Sequence, residues 1–106
     1  MEAMEKLQQI EQSLQHVMIQ KQSVEGEISE IDTALEHVDK SPDVYKNVGN
    51  IMIKQTSQQI SKDLSDRKEL LSTRLNSLAK QEERMQEKKN QVQQELLKDM
   101  KGDQNE

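Results

Sequence analysis

A regular apolar repeat along the first forty residues constrains this chain more than any other feature. Alternating steps of three and four residues connect ten positions, and only Lys21 is not apolar: Leu7, Ile10, Leu14, Val17, Lys21, Val24, Ile28, Ile31, Leu35 and Val38. An apolar spacing of about 3.5 residues forms a narrow helical stripe that is buried only against another helix. The sequence therefore predicts a first helix at about residues 2–40, packed in a coiled coil.

A second helix is predicted at about residues 57–100, with a disordered tail at 101–106. Its strict seven-residue column is apolar throughout: Leu64, Leu71, Leu78, Met85 and Val92. Its companion column has two apolar residues in six: Ser61, Lys68, Leu75, Glu82, Lys89 and Leu96. Thr56 and Gln59 have the spacing of a capping box, which marks the start of a helix. We call these columns, together with the stripe of the first helix, the seam.

The segment between the helices predicts a β-hairpin at about residues 43–55. Pro42 disfavours helix at Ser41, and β-branched residues then flank Gly49-Asn50, a two-residue turn signal. This turn would place Val44, Val48, Ile51 and Ile53 on one side, and Tyr45, Asn47, Met52 and Lys54 on the other. A lone hairpin is marginal in water and has open edges, so we expect strands from other chains. An ordered loop is the simpler alternative, but helix connections need only about 2–8 residues.

Composition argues against several classes of function. Hydrophobic residues make up 31% of the chain, against about 45–50% in globular domains. The net charge of −5 argues against nucleic-acid binding, and apolar runs of at most three residues argue against a membrane span. His16 and His37 lie too far apart on one helix to share a metal, and two helices offer no concave pocket. We therefore expect no enzymatic activity, no cofactor and no metal.

The hairpin segment resembles that of prefoldin β subunits, in which Val/Leu-Tyr-Lys-x-Val-Gly is followed shortly by Val/Ile-Lys. The matching residues are Val44-Tyr45-Lys46-Asn47-Val48-Gly49-Asn50-Ile51-Met52-Ile53-Lys54. Weaker helical matches are Gln20-Lys21-Gln22, Ala34-Leu35, Arg74-Leu75, Leu78, Gln81-Glu82-Glu83-Arg84 and Lys88. The resemblance covers nearly the whole chain as one domain at 1–106, and it is closer to archaeal β subunits than to any eukaryotic one.

The resemblance implies an ATP-independent holdase, a cytoplasmic chaperone that passes unfolded proteins to a group II chaperonin. Prefoldin is a heterohexamer of two α-type and four β-type subunits, whose hairpins form a double β-barrel body. The chain would thus assemble with an α-type subunit and other β subunits. The assembly contacts implied here are Val44, Tyr45, Lys46, Val48, Gly49, Ile51, Met52, Ile53 and Lys54.

In this family, exposed apolar residues at the coiled-coil tips hold client proteins. The positions that correspond here are Met1, Met4, Leu7, Ile10, Val92, Leu96, Leu97 and Met100. The chain has no Phe and no Trp, so each tip lacks aromatic anchors and several tips would act together. A structural coiled-coil tether or scaffold is the competing function, and the hairpin distinguishes the two because a tether has no use for it.

Overall fold

The computed structural model describes residues 2–38 and 43–104, which form two long helices joined by a β-hairpin. The elements are α1 (Glu2–Val38), β1 (Asp43–Val48), β2 (Ile51–Thr56) and α2 (Ser57–Gln104). This order confirms the prediction of a mainly helical fold with a hairpin between the helices. Within the described residues, neither helix has an apolar stretch long enough to cross a membrane.

The start of α2 has the capping interaction that its sequence predicts. The backbone N–H of Gln59 donates a hydrogen bond to Thr56 Oγ1 at 3.2 Å. Thr56 thereby satisfies one of the amide donors that the first turn of a helix leaves without an intrahelical partner. At the other side of the hairpin, α1 is described to Val38; residues 39–42, which include the end of the predicted first helix, lie outside the described residues.

The end of α2 differs from the prediction. The helix continues to Gln104, so the expected end near residue 100 and the disordered tail were wrong for residues 101–104; residues 105–106 lie outside the described part. No proline follows Met100 to stop the helix. Gly102 costs only about 1 kcal/mol relative to alanine, and the cation of Lys101 in the last turn favours the negative end of the helix dipole.

The hairpin turns at Gly49-Asn50, as the sequence predicts, and its strands pair antiparallel. Val48 lies opposite Ile51, Lys46 opposite Ile53, and Val44 opposite Gln55. Gly49 has φ +62°, whereas Asn50 has a negative φ like every other described non-glycine residue. A positive φ at the first turn residue alone has the sign pattern of a type II′ turn, whose twist matches that of the flanking strands.

The described chain divides into two compact units, and the first comprises Met1–Gln22 with Asn76–Glu106. Its buried core consists of Leu14, Val17, Leu78 and Val92. Two ion pairs join the helix segments, Lys21 with Glu82 at 3.2 Å and Glu11 with Lys89 at 3.9 Å. Because the α2 partner number falls as the α1 number rises, the two segments run antiparallel.

The second unit comprises Ser23–Leu75 and contains the hairpin. Its buried core consists of Val24, Ile31, Val38 and Ile60. Two ion pairs join its helix segments, Arg67 with Glu27 at 3.7 Å and Lys68 with Asp32 at 2.6 Å. Ile60 is a core residue that the seam does not include, because it lies one position before Ser61 in the companion column.

Every residue of the predicted seam is buried or half-buried. The apolar stripe of α2 is narrow because most residues of its companion column are polar. Lys68, Glu82 and Lys89 each form an ion pair with a residue of α1. Their long aliphatic stems cover apolar surface while the charged groups remain accessible to water. The companion column of α2 therefore contacts α1 through charge as well as through apolar packing.

Candidate functional site

The large apolar side chains of the hairpin are exposed. Ile51 is 66% and Met52 67% exposed, and Tyr45, Val48 and Ile53 are each about half exposed. These residues give a two-stranded sheet an unburied apolar surface, although such a sheet needs further strands or a packing partner for stability. The hairpin is therefore the part of the described chain that most clearly requires another molecule.

Cross-strand pairing divides the hairpin into two faces, because residues opposite each other project to the same side. The valine face consists of Val44, Lys46, Val48, Ile51, Ile53 and Gln55. The tyrosine face includes Tyr45, Asn47, Met52, Lys54 and Thr56. The predicted division is confirmed for all eight residues that it assigned. Both faces carry exposed apolar side chains, so the sheet can be covered from either side.

Both edges of the hairpin present backbone groups to their surroundings. The turn hydrogen bond runs from the Ile51 N–H to the Val48 C=O, and pairs that bond each other alternate with pairs whose backbone groups point outward. Counting back from the turn, the backbone groups of Tyr45 and Asn47 point outward along β1, and those of Met52 point outward along β2. An added strand can pair with either edge.

An apolar groove of about 290 Å³ lies where the hairpin meets the helices of the second unit. We call it the hairpin groove; it is lined by Ala34, Val38, Val44, Tyr45, Lys46, Gln55, Ile60, Asp63 and Leu64. Gln55 Oε1 is buried and has no hydrogen-bond partner among the described residues. A buried acceptor without a donor costs about 1–3 kcal/mol, so this oxygen lowers the stability of the fold locally.

The predicted client-binding residues divide by exposure. Met4, Leu97 and Met100 are exposed, and Leu7, Ile10 and Leu96 are half-buried in the seam. Val92 is 6% exposed, so its placement at an open binding surface was wrong: it is a core residue of the first unit. Met1 lies outside the described residues. We call the exposed residues Met4, Leu97 and Met100 the tip set.

Three further exposed apolar residues were missed by the sequence reasoning. Met18 and Ile19 are exposed on α1, and Leu70 is 73% exposed on α2. Each lies one or two positions after a seam residue, which is Val17 for Met18 and Ile19, and Lys68 for Leu70. Each therefore projects away from the opposing helix. Their position outside the seven-residue columns is the signal that would have identified them.

The histidines show no arrangement typical of a metal or catalytic site. His16 and His37 are exposed, and His16 Nε2 lies 3.3 Å from Nε2 of Gln20 on the same helix. Among the described residues, no three His, Cys, Asp or Glu side chains lie close enough together to hold a metal ion. The candidate functional surfaces are therefore the hairpin and the tip set.

Known proteins resemble this chain over most of its length. A family model described as "Prefoldin subunit" matches residues 1–103. The prefoldin subunit beta of Methanothrix thermoacetophila is 42% identical over 85% of this chain and 78% of its own length. That of Archaeoglobus fulgidus is 39% identical over 85% of this chain and 80% of its own.

A solved structure agrees as well. The crystal structure of the prefoldin beta subunit from Thermococcus strain KS-1 superimposes with a TM-score of 0.83 at 33% identity. The match covers 88% of this chain and 84% of the solved one. The resemblance that was predicted from the hairpin motif is confirmed, and the chain belongs to the prefoldin subunit family.

Proposed function

We propose that the chain is a subunit of an ATP-independent holdase that binds unfolded proteins and delivers them to a group II chaperonin in the cytoplasm. The observation that carries the proposal is the two-faced hairpin, whose exposed apolar side chains and outward backbone groups are typical of an unassembled strand pair. Membership of the prefoldin family supports the same role. The work of such a subunit is binding rather than catalysis.

Assembly would use the hairpin. Its edges pair with hairpins of an α-type subunit and of other β subunits, and the faces pack inside and around the resulting barrel body of a hexamer. Val48, Ile51 and Ile53 supply apolar area on the valine face, and Tyr45 and Met52 supply it on the tyrosine face. Burial of apolar area contributes about 25 cal/mol per Å², so a closed barrel stabilises strands that are marginal alone.

Client binding would use the tip set. Methionine side chains are flexible and polarisable, and they adapt to surfaces of varied shape. Met4 and Met100 are of this type, and Leu97 adds a branched aliphatic group. Since one such set is small and lacks aromatic residues, each subunit would hold a client weakly, and several subunits would bind it together.

The test of assembly is co-expression with the α-type subunit of an archaeal prefoldin, followed by native mass spectrometry. The unmodified chain should form a hexamer, and Ile53→Asp should prevent it by placing a charge in the barrel. Leu70→Asp is the matched control, because Leu70 is at least as exposed but lies on α2. An intact hexamer with Ile53→Asp would exclude the hairpin as the assembly element, and a chain that never joins the α-type subunit would favour the tether alternative.

A further inference from the structure

The sulfur atoms of this chain are all thioethers, because it has six methionines and no cysteine. Methionine is among the residue types most often found fully buried. Among the described residues, however, Met4, Met18, Met52 and Met100 are between 45% and 67% exposed, and only Met85 is half-buried. An exposed thioether is open to oxidation, which converts a flexible apolar side chain into a polar sulfoxide.

Two of these thioethers lie at one end of the first unit. Glu11 pairs with Lys89, and one seven-residue step from each member keeps to the same side of its helix. Because the two segments run antiparallel, this step places Met4 level with Leu96. Met100 follows Leu96 by one helical turn on the same face, about 6 Å along the axis. Met4 and Met100 therefore lie together in the tip set.

We propose that Met4 and Met100 form a reversible oxidation site through which hydrogen peroxide lowers client binding by the tip set. The thioether sulfur attacks one peroxide oxygen, the O–O bond breaks and an S–O bond forms. The sulfur is oxidised by two electrons, and the peroxide is reduced to water. A methionine sulfoxide reductase reverses the change, as two thiols become a disulfide and the oxygen leaves as water. This inference deepens the proposed client-binding role and rests on it.

Oxidation at these two positions would act on binding rather than on the fold. Both side chains are exposed, so a sulfoxide there faces water and the buried core of the first unit is unchanged. A client that covers the tip set would have to remove the sulfoxide oxygen from water, and burial of a polar group without a hydrogen-bond partner is unfavourable. The complex should therefore keep its assembly and lose affinity for clients.

The test compares each complex with the α-type subunit before and after hydrogen peroxide, which is removed before the client is added. For the unmodified chain, the concentration that half-suppresses client aggregation should rise at least about threefold, because several weak tips act together and each is weakened. With Met4→Leu and Met100→Leu, peroxide should leave that concentration unchanged, since no sulfur remains there to oxidise. Reductases for both sulfoxide epimers should restore the unmodified complex. Light scattering measures the suppression.

Met18 provides a matched control. It lies in the same seven-residue column of α1 as Met4 and is nearly as exposed, but it is roughly 21 Å away along the helix. Glutamine imitates the length and polarity of the sulfoxide. Met4→Gln with Met100→Gln should therefore weaken suppression without any oxidant, whereas Met18→Gln should not. Peptide mass spectrometry should find Met4 and Met100 oxidised before the half-buried Met85.

Three results would overturn the inference: equal loss of suppression in the leucine and unmodified complexes, equal effects of Met18→Gln and the paired glutamine variant, or oxidation of Met4 and Met100 no faster than that of Met85. These results are distinct from failure of the proposed function. An unmodified complex that does not suppress aggregation before peroxide would contradict the proposed client binding itself. Suppression that peroxide leaves intact would overturn only the oxidation site.

Discussion

Lys21 Nζ lies 3.2 Å from Glu82 Oε2, and both side chains are partly buried, 32% and 25% exposed. Lys21 is the one polar position in the stripe of α1, and Glu82 is one of four polar positions in the companion column of α2. The two residues face each other across the first unit, so their opposite charges pair between the helices. A shifted alignment of the helices would leave at least one of these charges against aliphatic side chains, which is unfavourable. The pair therefore helps to fix the alignment of the two helix segments.

Removing one member of this pair should cost more than removing both. Lys21→Leu leaves Glu82 half-buried without its cation, and we expect unfolding to become easier by about 1 kcal/mol. The double variant Lys21→Leu with Glu82→Leu should regain that loss or exceed the original stability, because apolar pairs often replace buried ion pairs at no cost. Urea denaturation followed by circular dichroism measures the difference. Equal losses in the single and double variants would argue against coupling between the two residues.

Proline at an outward-facing edge position should block assembly without breaking the hairpin. The Asn47 N–H points away from β2, so Asn47→Pro removes a donor that only an added strand can use. Met52→Pro does the same at the other edge, and a closed barrel needs both edges. Each variant should abolish the hexamer with the α-type subunit in native mass spectrometry while helical circular dichroism is retained. Hexamers that form with both variants would show that assembly does not proceed through strand pairing.

The tip set should be separable from the helix packing beside it. Replacing Met4, Leu97 and Met100 with serine removes exposed apolar area, so we expect weaker suppression of client aggregation by the assembled complex and unchanged thermal stability. Light scattering of a denatured client measures the suppression. The matched control is Met18→Ser with Ile19→Ser, which alters equally exposed apolar residues of the same unit elsewhere. If the control weakens suppression as much as the tip variant, clients bind along the helices rather than at the tip set.

Alanine should have opposite effects at two glycines. Gly49 has φ +62° with open space around it, so Gly49→Ala costs about 1–2 kcal/mol through the backbone conformation alone, and asparagine there should cost less. Gly26 lies exposed inside α1 with nothing within 4 Å of an added Cβ, so Gly26→Ala should stabilise the chain by up to about 1 kcal/mol. Thermal unfolding of the full chain measures both effects. A stabilising Gly49→Ala would contradict the turn geometry.

The features that were predictable from sequence are those that depend on periodicity. Seven-residue spacing identified the seam, because burial on a helix repeats with its turns. Two-residue alternation around Gly49-Asn50 identified both hairpin faces, because side chains alternate across a strand. The capping pair Thr56 and Gln59 was readable because both residues lie within one turn.

The features that were missed depend on contacts between segments distant in sequence. The ion pairs of Lys68, Glu82 and Lys89 require the alignment of two helices, which neither helix specifies alone. Val92 belongs to the strict column of α2, which indicated its place in the seam, but its full burial depends on packing against α1. The burial of Gln55 Oε1 depends on how the hairpin meets the helices, and no local pattern around Gln55 indicates it. The continuation of α2 to Gln104 was missed because residues with a low helix propensity, such as Gly102, reduce the stability of a helix by only about 1 kcal/mol each and need not end it.

The hairpin's two uncovered faces have a consequence for how the chain melts. Strands that are stabilised mainly by neighbouring molecules obey mass action, so their midpoint of thermal unfolding should rise with protein concentration. Helix segments whose apolar stripe is already buried within one chain have no such dependence. Dilution should therefore unfold the hairpin around Tyr45 and Met52 before the helices. The rate of hydrogen exchange at the Asn47 N–H would then report whether another strand is paired with the outer edge of β1.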